Sequence, residues 1–405
     1  KDNKWILMKN SISRSLVVLL AAVFAMTPFA IDSYLPAIPS IANELNVDTA
    51  MISITVSIYV FGLAIGQLIG GPLSDKFGRM KVMVAGLVLF AFCSLMLALS
   101  ASVHSFWFWR ILQSLGGGIA VVGVPATIRD NAEGSESAKL FALIALISMI
   151  APSIAPSVGT AIMNLLGWHW IFIISATLAL VVAFVATRVL PKAKKRVSTT
   201  TPVRYKHVFT ESKALGYMVS QSFSFSVLMT FIANGAFAYM IHFGVTPEMF
   251  SALFLVNVIG VAIVNRINSY LLSHHSPETL LVKFISLQVL GTTLLVASQL
   301  IAPDNLWFAV VGFVISISAN GGIMANSNAS FLKHFGQGAG VASAALGATQ
   351  FFTAASISAL AALLSKDSLW PIVGIMFCAS LISLFGAIRA NNHNGVYQVP
   401  LESET

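Results

Sequence analysis

The sequence predicts an all-α membrane protein of twelve transmembrane helices, arranged as two pseudo-symmetric six-helix bundles. Three observations carry that reading. The 405-residue chain is 57% hydrophobic and only 9% charged, with a mean hydropathy of +0.85, whereas a soluble domain carries about 25% charged residues. Apolar runs of about 20 residues, the length that crosses ~30 Å of hydrocarbon as a helix, recur twelve times along it. One long, basic, polar stretch at 191–214 divides those runs six and six.

The first six runs fall at about 16–37, 50–71, 81–100, 105–127, 139–163 and 169–189; the second six fall at about 215–240, 248–272, 279–301, 305–330, 339–364 and 368–389. β-Barrel spans would be ~10-residue segments of alternating polarity, and these runs do not alternate. The first is span-length with no small-residue cleavage site after it, so it reads as a retained helix rather than a signal peptide. The layout predicts a cytoplasmic N-terminus at 1–13, a first bundle at 14–190, a basic linker at 191–214, a second bundle at 215–390 and a tail at 391–405. Two six-span halves suggest parallel repeats around a central cavity. Gly116-Gly117-Gly118 in the fourth run and Gly321-Gly322 in the tenth, at comparable depth, are a faint internal echo; small residues there allow close helix approach.

Lys and Arg placement sets the orientation. With the N-terminus inside, the cytoplasmic side receives Lys9, Arg14, Lys76, Arg79, Lys81, Arg129, Lys139, the linker, Arg266, Lys283, Lys333 and Arg389. The other side receives Lys366, together with Glu44, Asp48, Glu248, Asp304 and Asp367. The net charge of +8 is therefore loop charge, and no nucleic-acid partner is needed to explain it. Cys93 and Cys378 both lie in apolar runs, and no His/Cys cluster has metal-ligand spacing, so neither a metal nor another cofactor is expected. No convergent nucleophile and base are present, which argues against an enzyme. A monomer in a lipid bilayer is the expected assembly.

Two charges lie well inside spans. Asp32, in Ala30-Ile31-Asp32-Ser33-Tyr34-Leu35-Pro36, and Arg110, in Trp109-Arg110-Ile111-Leu112-Gln113, are costly there and mark function by default. A rise of ~1.5 Å per residue puts Asp32 ~24 Å and Arg110 ~22 Å above the cytoplasmic face. The two can meet, with Gln113 one turn away, as a proton-coupling pair. Interior polar and aromatic residues then supply substrate-binding candidates: Tyr34, Tyr59 and Gln113 in the first half, and Phe223, Asn234, Tyr239, Asn257, Asn320 and Gln350 in the second. The second half offers no acid in the interior of a predicted span.

Two segments read as conformational. Between the second and third runs lies Gly71-Pro72-Leu73-Ser74-Asp75-Lys76-Phe77-Gly78-Arg79-Met80-Lys81; its glycines permit a tight turn, and Asp75 can face a helix N-terminus or Arg129. In the fifth run, Pro152, Pro156 and Gly159 kink a helix and give it a close-packing face.

The G-x-x-x-D-K-x-G-R loop resembles the signature loop of the major facilitator superfamily. With Asp32 before Tyr-Leu-Pro-Ala-Ile-Pro, the Arg110–Gly116 segment, Arg129-Asp130 and Ala-Pro-x-x-Ala-Pro-x-x-Gly in order, the whole resembles the bicyclomycin-resistance subfamily of twelve-span drug:proton antiporters. Two departures stand out. Ala155-Pro156 replaces a common Gly-Pro, and Leu20 to Met26 is wholly apolar where some relatives carry a second carboxylate. The loop after the eighth run, around Asn265 to Asn268, does not repeat the signature.

The resemblance implies a bacterial inner-membrane protein with both termini cytoplasmic. It would export small, mostly neutral or amphipathic drugs against an inward proton gradient by alternating access. Export of an endogenous metabolite, such as a siderophore, amino acid or nucleoside, is the alternative.

Overall fold

The computed structural model describes residues 13–131, 134–190, 205–335, 339–365 and 368–395, with side chains described except at 129–131, 134–139, 141–149, 205–207 and 339–340. Among the described residues, twelve helical segments cross the molecule. The first six are α1 (Arg14–Glu44), α2 (Thr49–Phe77), α3 (Arg79–Ala98), α4 (Val103–Ile128), α5 (Gly134–Leu166) and α6 (His169–Val189). The second six are α7 (Ser212–His242), α8 (Pro247–Leu271), α9 (Pro277–Ile301), α10 (Leu306–Leu332), α11 (Ala339–Leu364) and α12 (Trp370–His393). No strand occurs among the described residues.

Local chemistry starts and stops these helices. Ser13, Asp48, Ser102, Thr246, Ser276 and Asn305 each cap a helix by accepting a backbone N–H, meeting donors that would otherwise lack a partner. Pro247 and Pro277 stand at first helical positions, where a missing N–H costs nothing. The Gly71–Lys81 segment is shorter as a loop than its sequence suggests. α2 continues through Pro72 to Phe77 and α3 begins at Arg79, so Gly78 alone makes the turn, at φ 96°. Only glycine adopts that backbone freely. The Asn265–Asn268 segment is likewise the last turns of α8 rather than a loop.

The interior of each half is closed by glycine contacts, and these reveal the repeat. A Cβ at Gly118 would strike the α2 backbone, and one at Gly116 would meet Gly86 of α3. A Cβ at Gly321 would strike the α8 backbone, and one at Gly322 would meet the Phe284 ring of α9. The fourth helix of each half thus packs on its second and third helices through adjacent glycines.

Charge is sided. Among the described residues, one end of the bundle holds Arg14, Lys76, Arg79, Lys81, Arg188, Lys213, Arg266, Lys283, Lys333 and Arg389. The other holds Glu44, Asp48, Glu248 and Asp304 and no Lys or Arg. Exposed Trp170, Trp307 and Trp370 ring the acidic end at the starts of α6, α10 and α12, as interfacial aromatics do.

The halves meet toward the acidic end. Ser57 of α2 and Ser358 of α11 share a hydrogen bond of 2.7 Å, Thr160 of α5 and Ser251 of α8 share one of 2.9 Å, and Asn164 donates to Glu248 at 2.8 Å. Farther along the same α2–α11 pair, a Cβ at Gly71 or at Gly347 would meet nothing within 4 Å. The polar contacts join the two halves toward the acidic end.

Candidate proton site

The site begins with a break in α1. Its regular helix stops at Asp32, turns through Ser33 and Tyr34, and resumes as a 3₁₀ turn (Leu35–Ala37) and a short helix (Ile38–Glu44). Pro36 and Pro39 account for the interruption: neither can donate to the preceding turn, and each disfavours helical backbone before it. Ser33 N–H still bonds the Phe29 carbonyl at 3.0 Å, but the Ala30 carbonyl is released and accepts Arg110 Nη2 at 2.9 Å.

Arg110 is wholly buried. Its Nη1 donates to Gln113 Oε1 at 2.6 Å, and Gln113 Nε2 passes the chain to Ser94 Oγ at 2.7 Å. The guanidinium lies 4.1 Å from the Tyr34 ring centroid, 4.6 Å from Tyr59 and 5.7 Å from Phe172. Such faces hold a desolvated cation by their quadrupole. Tyr34 is held in turn by a 2.8 Å hydrogen bond to Thr55.

Asp32 is also buried, with Oδ1 sealed from solvent and unpartnered among the described residues. The anticipated contact between Asp32 and Arg110 is absent: no ion pair joins them among the described residues. Arg110 reaches the same helix two residues earlier, because the break frees a backbone acceptor there. α5 presses on the same point. Gly159 packs so closely on the Ser33 carbonyl that a Cβ would collide with it. The Pro152, Pro156 and Gly159 helix therefore meets the residue next to Asp32.

The remaining candidates are dispersed. Tyr34, Tyr59 and Gln113 surround Arg110 and are buried. In the second half, Gln350 accepts from Gln221 at 2.6 Å, Asn320 accepts from Ser224 at 3.4 Å, and Asn257 donates to the Leu253 carbonyl at 2.9 Å. Asn234 donates to the Thr230 carbonyl at 2.9 Å and to the Ser358 carbonyl at 3.4 Å. Tyr239 sits among Phe231, Phe250 and Phe313, and of this set Phe223 alone is half-buried rather than buried.

Asp75 bonds Arg79 one turn on, at 2.6 Å; the Arg129 side chain, its anticipated alternative, lies outside the described residues. Sequence reasoning missed Phe172, Ser94, Thr55 and the Ala30 carbonyl. Only Pro36, which announces a break and hence a free carbonyl, signalled any of them. It also missed Glu278, which lies in the first turn of α9, is nearly buried and pairs with Lys333.

The model of the Major Facilitator Superfamily matches residues 18–359. This chain belongs to that superfamily. Major facilitator relatives include a bicyclomycin resistance protein homolog of Haemophilus influenzae, 28% identical over 93% of this chain and 96% of that one. Multidrug resistance protein MdtL of Escherichia coli is 29% identical over 92% and 94%. Among solved structures, the xylose transporter XylE of E. coli in a partially occluded inward-open conformation superposes with a TM-score of 0.69 at 14% identity, over 96% of this chain and 99% of that one. That likeness is one of fold: the twelve-helix major facilitator architecture. The chain is thus a multi-span membrane transporter whose partners include the bilayer and a small-molecule substrate.

Proposed function

We propose that this transporter exports small, mostly neutral or amphipathic drugs of the chloramphenicol or bicyclomycin type, in exchange for protons. It would do so across the bacterial inner membrane, with its basic end and both termini in the cytoplasm. The observation that carries the reading is Asp32: a buried carboxylate with an unpartnered oxygen, placed where α1 breaks. The names of the bicyclomycin and multidrug resistance relatives support the substrate class. The excess of Lys and Arg at one end supports the orientation.

The proton is carried by Asp32. When protonated, the site holds one positive charge, on Arg110; when the proton leaves, it also holds an anion, two residues along α1 from the carbonyl that Arg110 bonds. That change of one charge falls on a backbone segment already pinned by Arg110 at Ala30 and by Gly159 at Ser33. Substrate entering from the basic end displaces the proton. The α1 break and α5 then shift together, and the Thr160–Ser251 and Ser57–Ser358 contacts release to open the acidic end. After the substrate leaves, a proton from that side resets Asp32.

Asp32→Asn fixes position 32 in its neutral form, with the positive charge of Arg110 unopposed. In inverted vesicles or proteoliposomes with an imposed pH gradient, it is expected to abolish gradient-driven drug efflux while leaving drug binding measurable. Wild-type efflux by the variant would refute the assignment. Export of an endogenous metabolite is the second reading. It is favoured by Arg110, a buried cation with no ion-pair partner among the described residues, which suits a neutral or anionic cargo. Drug accumulation and secreted metabolites compared in a deletion strain separate the two.

A further inference from the structure

We propose that the outer face of α3 and α6 binds an anionic glycerophospholipid of the phosphatidylglycerol type, with one acyl chain along α3 and the phosphate on Lys81. An open groove of about 660 Å³ runs there, lined chiefly by Lys81, Val84, Val88 and Phe92 of α3 and by Thr187 of α6. These α3 positions recur at helical spacing, so they form one outward stripe. Val88 and Phe92 are 46% and 51% exposed, on a helix that crosses the membrane.

Length identifies the apolar part of the occupant. Lys81 to Phe92 spans ~16 Å at ~1.5 Å per residue, which matches the ~15 Å depth of one leaflet in a ~30 Å hydrocarbon core. The deep end is closed by Phe92, whose ring meets Trp109 edge-on at 5.8 Å. Charge identifies the head. Lys81 is the only charged residue in the groove and has no ion-pair partner among the described residues. Its ammonium is a compact charge suited to a phosphate. Arg188 adds a second exposed cation at the same end, its guanidinium 5.1 Å from the Phe184 ring centroid. Thr187 donates its hydroxyl proton to the Phe184 carbonyl at 2.6 Å, which leaves its oxygen free to accept from a headgroup hydroxyl. Phosphatidylglycerol offers both the phosphate and the hydroxyl; a choline head offers no donor and brings a like charge toward Lys81 and Arg188.

The test counts lipids retained on the purified transporter by native mass spectrometry. The micelles contain phosphatidylglycerol, phosphatidylethanolamine and phosphatidylcholine of equal chain length in equal amounts. Wild-type protein is expected to retain one phosphatidylglycerol in preference to the others. Lys81→Gln is expected to lower that retention about fivefold, the effect of one Lys beside an anionic lipid. Val88→Trp, which fills the groove without changing charge, is expected to lower it as well, and Lys283→Gln on α9 to leave it unchanged. Both groove positions are exposed, so folding is not at stake. Equal retention of the three lipids by the wild type, or wild-type phosphatidylglycerol retention by either groove variant, would mean ordinary annular lipid and overturn the proposal.

Discussion

At the scale of single residues, Arg110 decides the character of the first half. It bonds Gln113 and the Ala30 carbonyl and lies against the rings of Tyr34, Tyr59 and Phe172, so it is held by geometry as well as by charge. Lysine keeps the charge but loses the planar fork and the stacking surface. Arg110→Lys is therefore expected to lower the stability of the purified protein by about 2 kcal/mol, on the scale of a desolvated cation–π contact, and to reduce coupled efflux at least tenfold. A thermal melt in detergent and a transport assay check the two parts, and a variant unchanged in both would show that charge alone suffices. Asp32 and Arg110 were legible in the sequence because an ionisable residue in an apolar run stands out. What they bond to was not: the Ala30 carbonyl and the Phe172 face carry no mark in a residue pattern.

At the scale of elements, adjacent glycines decide how α4 meets its neighbours. Gly118 lies against the α2 backbone with no room for a Cβ. Gly118→Val is expected to cost about 1–3 kcal/mol, as overpacking does, and to lower the melting temperature and folded yield. Gly71→Ala, where a Cβ meets nothing within 4 Å, serves as the contrast and is expected to leave both unchanged; equal losses in the two variants would sink the packing argument. Each of the twelve runs falls on one helix because each must be apolar for its whole length. Their ends and interruptions were read less well. α2 runs on to Phe77 past Gly71 and Pro72 and ends instead at Gly78, whose N–H still bonds the Ser74 carbonyl at 3.0 Å. Glu278 escaped notice because the ninth run was drawn one residue too short to include it.

At the scale of the whole molecule, the contacts between halves define the state. Ser57 and Ser358, on α2 and α11, come within 2.7 Å through their hydroxyls. A Ser57→Cys/Ser358→Cys pair is expected to form a disulfide on mild oxidation, to arrest transport, and to release it on reduction. Full turnover by the cross-linked protein would show that these helices need not separate during the cycle. The same end contains the Thr160–Ser251 and Asn164–Glu248 hydrogen bonds, so opening there must break polar contacts from both helix pairs together.

The sequence by itself determined the solvent, the number of crossings, the six-and-six division and the two interior charges. Each of these is a one-dimensional property: the length of an apolar run, the side on which Lys and Arg accumulate, or a costly residue in the wrong solvent. Only the tertiary structure decided that Arg110 answers to a backbone carbonyl rather than to Asp32, that α5 bears on the residue after Asp32, and that polar contacts join the halves toward the acidic end. Those outcomes depend on which helix lies beside which. Hydrophobicity in a membrane does not choose between helices, because lipid tails are as apolar as leucine. Glycine approach, released carbonyls and pairs of hydroxyls make that choice, and their partners lie tens or hundreds of residues apart in the chain.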